Sequence, residues 1–186
     1  MIEKFTTLTT TVVPLNRENV DTDQIIPARF LKATTKDGFG ANLFADWRVA
    51  SDFVLNTRKG QVLVAGHNFG CGSSREHAAW AICGAGFRAV ISTHFADIFR
   101  NNALNNGLLP IEVSASFLAR LMKAGEKDTV TIDLENQTVT FGGIQERFEV
   151  NAYKKTCLLN GYDDVDYLLS VREKIEMFEK KRMLCK

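Results

Sequence analysis

Residues 61–93 read QVLVAGHNFGCGSSREHAAWAICGAGFRAVIST, and this stretch decides the fold class. QVLVAG is a short apolar run of strand type, GHNFGCG is a glycine-rich turn, and SSREHAAWAICGAG sets Ala78, Ala79, Ile82 and Cys83 at helical spacing. RAVIST is a second strand. Downstream, HFADIFRNNALNNG predicts a helix closed by Gly107, LLPIEV a strand, and SASFLARLMKAG a helix opened by serine and stopped by Gly125. Strands alternating with helices predict an α/β body with parallel strand pairs.

Further out the pattern changes. TVTIDL, ENQ, TVTFGG and QERFEV predict a hairpin or three-stranded meander, and hence a second sheet system. The tail, about 163–184, opens with acids and closes with lysines, as a helix dipole favours. Upstream, Thr6 to Leu15 is a β-favouring run that stops at Pro14, and NRENVDTDQIIP is a polar, turn-rich loop. Residues 28–57 are irregular, with a short helix expected at ADWRVASDFVL.

A chain of 186 residues supports one substantial core, so a single domain over 1–186 is expected. Hydrophobic residues at 45% and charged residues at 24% describe a chain that folds. Twenty-three Lys and Arg against twenty-two Asp and Glu leave a formal charge of +1, which supplies no global field for nucleic acid or an anionic membrane. Any anionic ligand is met locally. No apolar run approaches the ~18 residues of a membrane span, and a cytoplasmic location is expected. Cys71, Cys83, Cys157 and Cys185 are expected to be free thiols. They lack the C-x-x-C spacing of zinc ribbons and iron–sulfur runs, so no metal is expected on this chain.

The segment GHNFGCGSSREHA at 66–78 carries the chemistry. Gly66, Gly70 and Gly72 let backbone approach a ligand, the helix start offers free N–H groups, and Arg75 adds a fork of donors suited to a carboxylate. A competing reading makes Ser73 and Glu76 a capping box. A phosphate loop would need a lysine that is missing, a hydrolase elbow would need GxSxG, and a dinucleotide turn would need glycine where Arg75 stands. Cys71 near His67 and His77 leaves a thiol nucleophile open as a second class. His67, His77 and His94 with Cys71 and Cys83 match no common metal site.

Taken together, NVDTDQIIP at 19–27, GHNFGCGSSREHA, FADIFRNNALNNGLLP at 95–110 and YKKTCLLNGYDDVDYLL at 153–169 resemble the small-subunit family of 3-isopropylmalate dehydratases, in the aconitase superfamily. The resemblance covers nearly the whole chain. It implies an α/β fold of swivelling three-layer β/β/α type, like the aconitase C-terminal domain, with a C-terminal helix. It implies a hydro-lyase that interconverts 2- and 3-isopropylmalate through isopropylmaleate in leucine biosynthesis. A separate large subunit would hold a [4Fe–4S] cluster whose iron takes the leaving hydroxyl.

By the same resemblance, Ser73 is the base that takes a proton beside a carboxylate, with Arg75 and the helix-start N–H groups stabilising its oxyanion. Ser74, Asp23 and Gly72 contact or approach the substrate, while Asp21 is read as a turn residue. Lys36 stands where relatives often carry a substrate-binding arginine, and Arg29 and Arg48 are alternative donors. Phe30, Leu31 and Phe39 are candidates for the substrate wall, with core packing as the competing role. Homoaconitase-like and citraconate or methylmalate dehydratase relatives, and a non-catalytic organic-anion binder, stay open as alternatives.

Overall fold

A computed structural model describes residues 2–32 and 35–183, so Cys185 and the last residue of the expected tail lie outside the described part. In chain order the elements are β1 (Thr7–Leu15), α1 (Thr22–Ile25), α2 (Val54–Thr57), β2 (Val62–Ala65), α3 (Glu76–Gly84), β3 (Ala89–Ser92), α4 (Asp97–Asn105), β4 (Leu109–Glu112) and α5 (Ala115–Leu121). They continue through β5 (Thr129–Asp133), β6 (Thr138–Phe141), β7 (Ile144–Arg147), α6 (Ala152–Asn160), α7 (Asp164–Ser170) and α8 (Arg172–Met183).

The strands run in the order β4-β3-β2-β1-β5-β6-β7. The first four are mutually parallel, and β5, β6 and β7 are antiparallel to their neighbours. The two expected sheet systems are therefore joined through one strand. Thr7 to Thr11 of β1 pair with β5, while Val12 to Leu15 pair with β2.

Strand alternation sorts the side chains into two cores. Val62, Val64, Ala89, Ile91, Leu109 and Ile111 point to one side and share a cluster with Val130, Ile132 and Val139 of the antiparallel half. Leu63, Ala65 and Val90 point to the other side, where α3 and α4 supply Ala78, Ile82, Phe99 and Ala103. Antiparallel strands, parallel strands and helices thus form three stacked layers, as the β/β/α expectation requires. β2, buried on both faces, is a continuous apolar run for that reason, and β3 is apolar up to Ser92.

Four local expectations are corrected. β1 does not stop at Pro14, which pairs with Val64 in register. β5 has already ended opposite Thr11, so the missing N–H of Pro14 faces no partner strand. The stretch 45–55 is a series of turns, and only Val54–Thr57 is helical. Fully buried Phe44 lies in the left-handed region at φ 52° with its ring stacked 5.1 Å from Trp47, so packing overrides helical spacing. α5 ends at Leu121, ahead of Gly125. The tail breaks into α7 and α8 at Val171, whose φ and ψ of −109° and 12° leave the helix.

Helix α6 was not anticipated. Its signals are short-range: Asn151 accepts from the N–H of Tyr153 and Lys154, and Gly161 closes the helix in the left-handed conformation.

Candidate functional site: a turn at the carboxyl ends of β1 and β2

The loops that leave β1 and β2 run side by side at the carboxyl edge of the parallel strands, where open α/β sheets present their ligand sites. Backbone bonds join them: Gly66 N–H to Arg17 O at 2.9 Å, Asn19 N–H to His67 O at 2.8 Å, Gly70 N–H to Val20 O at 2.7 Å and Thr22 N–H to Cys71 O at 2.9 Å. The Thr22 hydroxyl donates to Ser73 O at 2.9 Å. This ladder fixes the glycine-rich turn against the VDTDQ loop before α3 begins.

The capping-box reading of Ser73 and Glu76 does not hold. Arg75 is the N-cap of α3 and no side chain caps it, while the Glu76 carboxylate accepts from Asn106 Nδ2 at 2.9 Å instead. The first N–H groups of α3, which have no partner within the helix, therefore sit at the turn without a side-chain cap. Gly72 holds φ at 88°, a conformation that side chains resist. Gly72, Ser73 and Ser74 are all exposed.

Asp23 and Arg75 come together: Arg75 Nη1 donates to Asp23 Oδ1. The Arg75 side chain is only 16% exposed, so its guanidinium is held rather than left to swing in solvent. Hydrogen bonding to Arg75 keeps the Asp23 carboxyl below the usual carboxylate range. Asp21, as its turn reading requires, accepts from Gln24 N–H on its carboxylate and donates its own N–H back to Gln24 Oε1, capping α1.

The other candidates are placed elsewhere. Lys36 Nζ donates to Asn106 Oδ1 at 2.7 Å, the same oxygen that takes the Trp80 indole N–H at 3.0 Å, so it stands along the flank of α3. Arg29 pairs with Asp46. Arg48 is partly buried, with its Nε shielded from solvent and without a hydrogen-bond partner. Among the described residues, no hydrogen bond joins Lys36, Arg29 or Arg48 to Ser73, Ser74 or Arg75. Phe39 is a core residue at 2% exposure, with His77 and Trp80 against its ring, whereas Phe30 and Leu31 are half-buried.

Cys71 does not have the setting of an activated thiol. Burial, then the nearby Asp21 carboxylate, push its thiol above the ordinary value. His67 is 3.2 Å from the Thr93 hydroxyl and stacks with His94, and His77 packs on Phe39 and Trp80, so neither imidazole bonds Cys71. Cys71, Cys83 and Cys157 stand apart, and no three His, Cys, Asp or Glu side chains gather as metal ligands among the described residues. These residues do not supply the thiolate set of an iron–sulfur cluster. No helix among them is long and apolar enough to cross a membrane.

Thr22, between Asp21 and Asp23, joins the turn through the Ser73 carbonyl without belonging to a legible motif. Its signal was weak, since a threonine flanked by aspartates reads as a turn.

Comparison with known proteins adds to this geometry. The family model described as the aconitase C-terminal domain matches residues 2–116, and a second, LeuD_N, matches residues 118–152. The chain is 59% identical over 192 residues to a protein of Cytophaga hutchinsonii named 3-isopropylmalate dehydratase small subunit, covering 96% of each chain. A protein of the same name from Christiangramia forsetii is 60% identical over 194 residues, covering 97% of this chain and 95% of that one. The crystal structure of a 3-isopropylmalate dehydratase (leuD) from Methanocaldococcus jannaschii superposes with a TM-score of 0.69 at 31% identity, covering 95% of this chain and 99% of that one. With the layered fold and near full-length identity agreeing, the chain belongs to the 3-isopropylmalate dehydratase small-subunit family, built on the aconitase C-terminal domain.

Proposed function

We propose that this chain is the small subunit of a hydro-lyase that interconverts 2- and 3-isopropylmalate through isopropylmaleate in leucine biosynthesis. It acts in the cytoplasm and turns over substrate only with a large subunit. The observation that carries this reading is the turn itself: exposed Ser73 and Ser74 beside Arg75, at a helix start left without a side-chain cap. A dicarboxylate substrate fits such a turn, because N–H donors and the Arg75 guanidinium, whose charge Asp23 orients, are there to meet its carboxylates.

Ser73 is the base. As an alkoxide, its oxygen takes the proton from the carbon next to a substrate carboxylate, and the neighbouring carbon releases hydroxide to give isopropylmaleate. Returning water with the opposite regiochemistry completes the isomerisation. A serine hydroxyl is too weak a base unaided, so Arg75 and the N–H groups at the start of α3 stabilise the oxyanion. Asp23 holds the Arg75 guanidinium in place, and Gly72 and Ser74 line the approach. A [4Fe–4S] cluster held by the large subunit would supply the Lewis acid for the hydroxyl. Lys36 lies on the flank of α3 and is assigned no step.

The test is ultraviolet absorbance of isopropylmaleate with this chain alone and with a reconstituted cluster-bearing large subunit under argon. Activity in the mixture alone supports the reading. Activity from this chain by itself, or silence with the partner's cluster shown intact, overturns it.

A further inference from the structure

Thr22 is one of the few buried polar residues among those described, at 2% exposure, and it makes two bonds to the same turn. Its N–H donates to Cys71 O at 2.9 Å and its hydroxyl donates to Ser73 O at 2.9 Å. Every peptide bond of the turn is trans. In a planar trans peptide the carbonyl of one residue and the N–H of the next point in opposite directions. Drawing the Cys71 and Ser73 carbonyls inward onto Thr22 therefore turns the N–H groups of Gly72 and Ser74 outward. Gly72 and Ser74 are exposed, and neither N–H donates to any described residue. Two outward N–H groups on alternate residues, one of them left-handed Gly72, give an anion a pair of backbone donors.

We propose that Thr22 is the positioning residue of this site: it clasps the Cys71 and Ser73 carbonyls so that the Gly72 and Ser74 N–H groups face the substrate carboxylate beside the carbon that loses its proton. The proposal rests on the function proposed above. Thr22 is too buried to touch substrate and acts through the turn. As the C–H bond breaks, its electron pair delocalises into that carboxylate and the proton goes to Ser73, so the carboxylate oxygens gain charge. Donors aimed there stabilise the transition state more than bound substrate, which places the effect of Thr22 in kcat rather than KM.

The experiment uses the reconstituted two-chain enzyme with Thr22→Val, Thr22→Ser, Thr22→Ala and Ser73→Ala small subunits, assayed with 2-isopropylmalate. Thr22→Val keeps the shape of the side chain and removes the hydroxyl, and is expected to lower kcat about tenfold to hundredfold while KM stays within about threefold. Thr22→Ser is expected to restore kcat to within about threefold of the parent, because it keeps the donor. If Thr22→Val fails to fold, Thr22→Ala gives the same comparison without placing a methyl group against the Ser73 carbonyl. A folded hydroxyl-free variant with parental kcat, beside an inactive Ser73→Ala enzyme, overturns the role of Thr22 and leaves the site reading standing. An active Ser73→Ala enzyme overturns both.

Discussion

Asp23 and Arg75, fifty-two positions apart, meet as an ion pair between the loops that leave neighbouring parallel strands β1 and β2. The pair fixes the direction of a fork of donors beside Ser73. Lysine would keep the charge and lose the fork, so Arg75→Lys is expected to lower turnover by about a hundredfold to a thousandfold. Steady-state kinetics of the reconstituted enzyme, with melting of the small subunit as control, checks this. Unchanged turnover would remove Arg75 from the chemistry.

The same pair makes a prediction about acid. Arg75 stabilises the charged form of Asp23 and holds its carboxyl below the ordinary value of 3.8. A lowered folded-state value means that the pair's contribution is fully present above the ordinary value and fades as pH falls through the folded one. A carbon-detected titration of the Asp23 carboxyl should show its midpoint below that of a free aspartate, and Arg75→Ala should move it upward. A midpoint indifferent to Arg75 would mean that the two side chains do not pair in solution.

The segment Phe39–Asn42 crosses the end of α3 with no room to spare. A Cβ built on Gly40 would lie 2.1 Å from the carbonyl carbon of Gly84. Because that obstacle is backbone, Gly40→Ala is expected to destabilise the chain by about 3 kcal/mol, at the upper end of ordinary overpacking. Urea unfolding measures this, and a midpoint equal to the parent's would show that α3 can back away.

Cys71 stands one residue before Gly72 yet has a raised thiol pKa. At neutral pH its thiolate is scarce, so iodoacetamide should alkylate Cys71 more slowly than free cysteine. Cys71→Ala should leave turnover within about threefold, whereas Ser73→Ala should cost at least about a thousandfold. The reverse ranking would restore the thiol-nucleophile reading.

Residues whose role depends on near neighbours were legible in the sequence. Leu63 and Val64 sit in a run buried on both faces, and the meander of β5 to β7 announces itself by alternation and turn residues. Phe44 was not legible, because its left-handed backbone is stabilised by Trp47, Phe53 and the Ile25 carbonyl, contacts that helical spacing does not encode. Within the site, the glycines, serines and Arg75 could be read from one short motif. The partnership of Asp23 with Arg75, and the grip of Thr22 on Ser73, join two segments about fifty residues apart. The pairing of β1 with β2, continued by the backbone bonds between their loops, brings those segments together.

The double pairing of β1 bears on how the chain is made. The strand precedes both partners in the chain and can align with β2 once residue 65 has left the ribosome, yet Thr7 waits for Asp133 before its other edge closes. A nascent chain therefore carries a half-paired edge through much of its synthesis, the kind of surface on which strands of other chains add. Closing contacts so distant in sequence also slows folding after release. Production of this subunit should accordingly depend on translation rate and on chaperones that shield that edge.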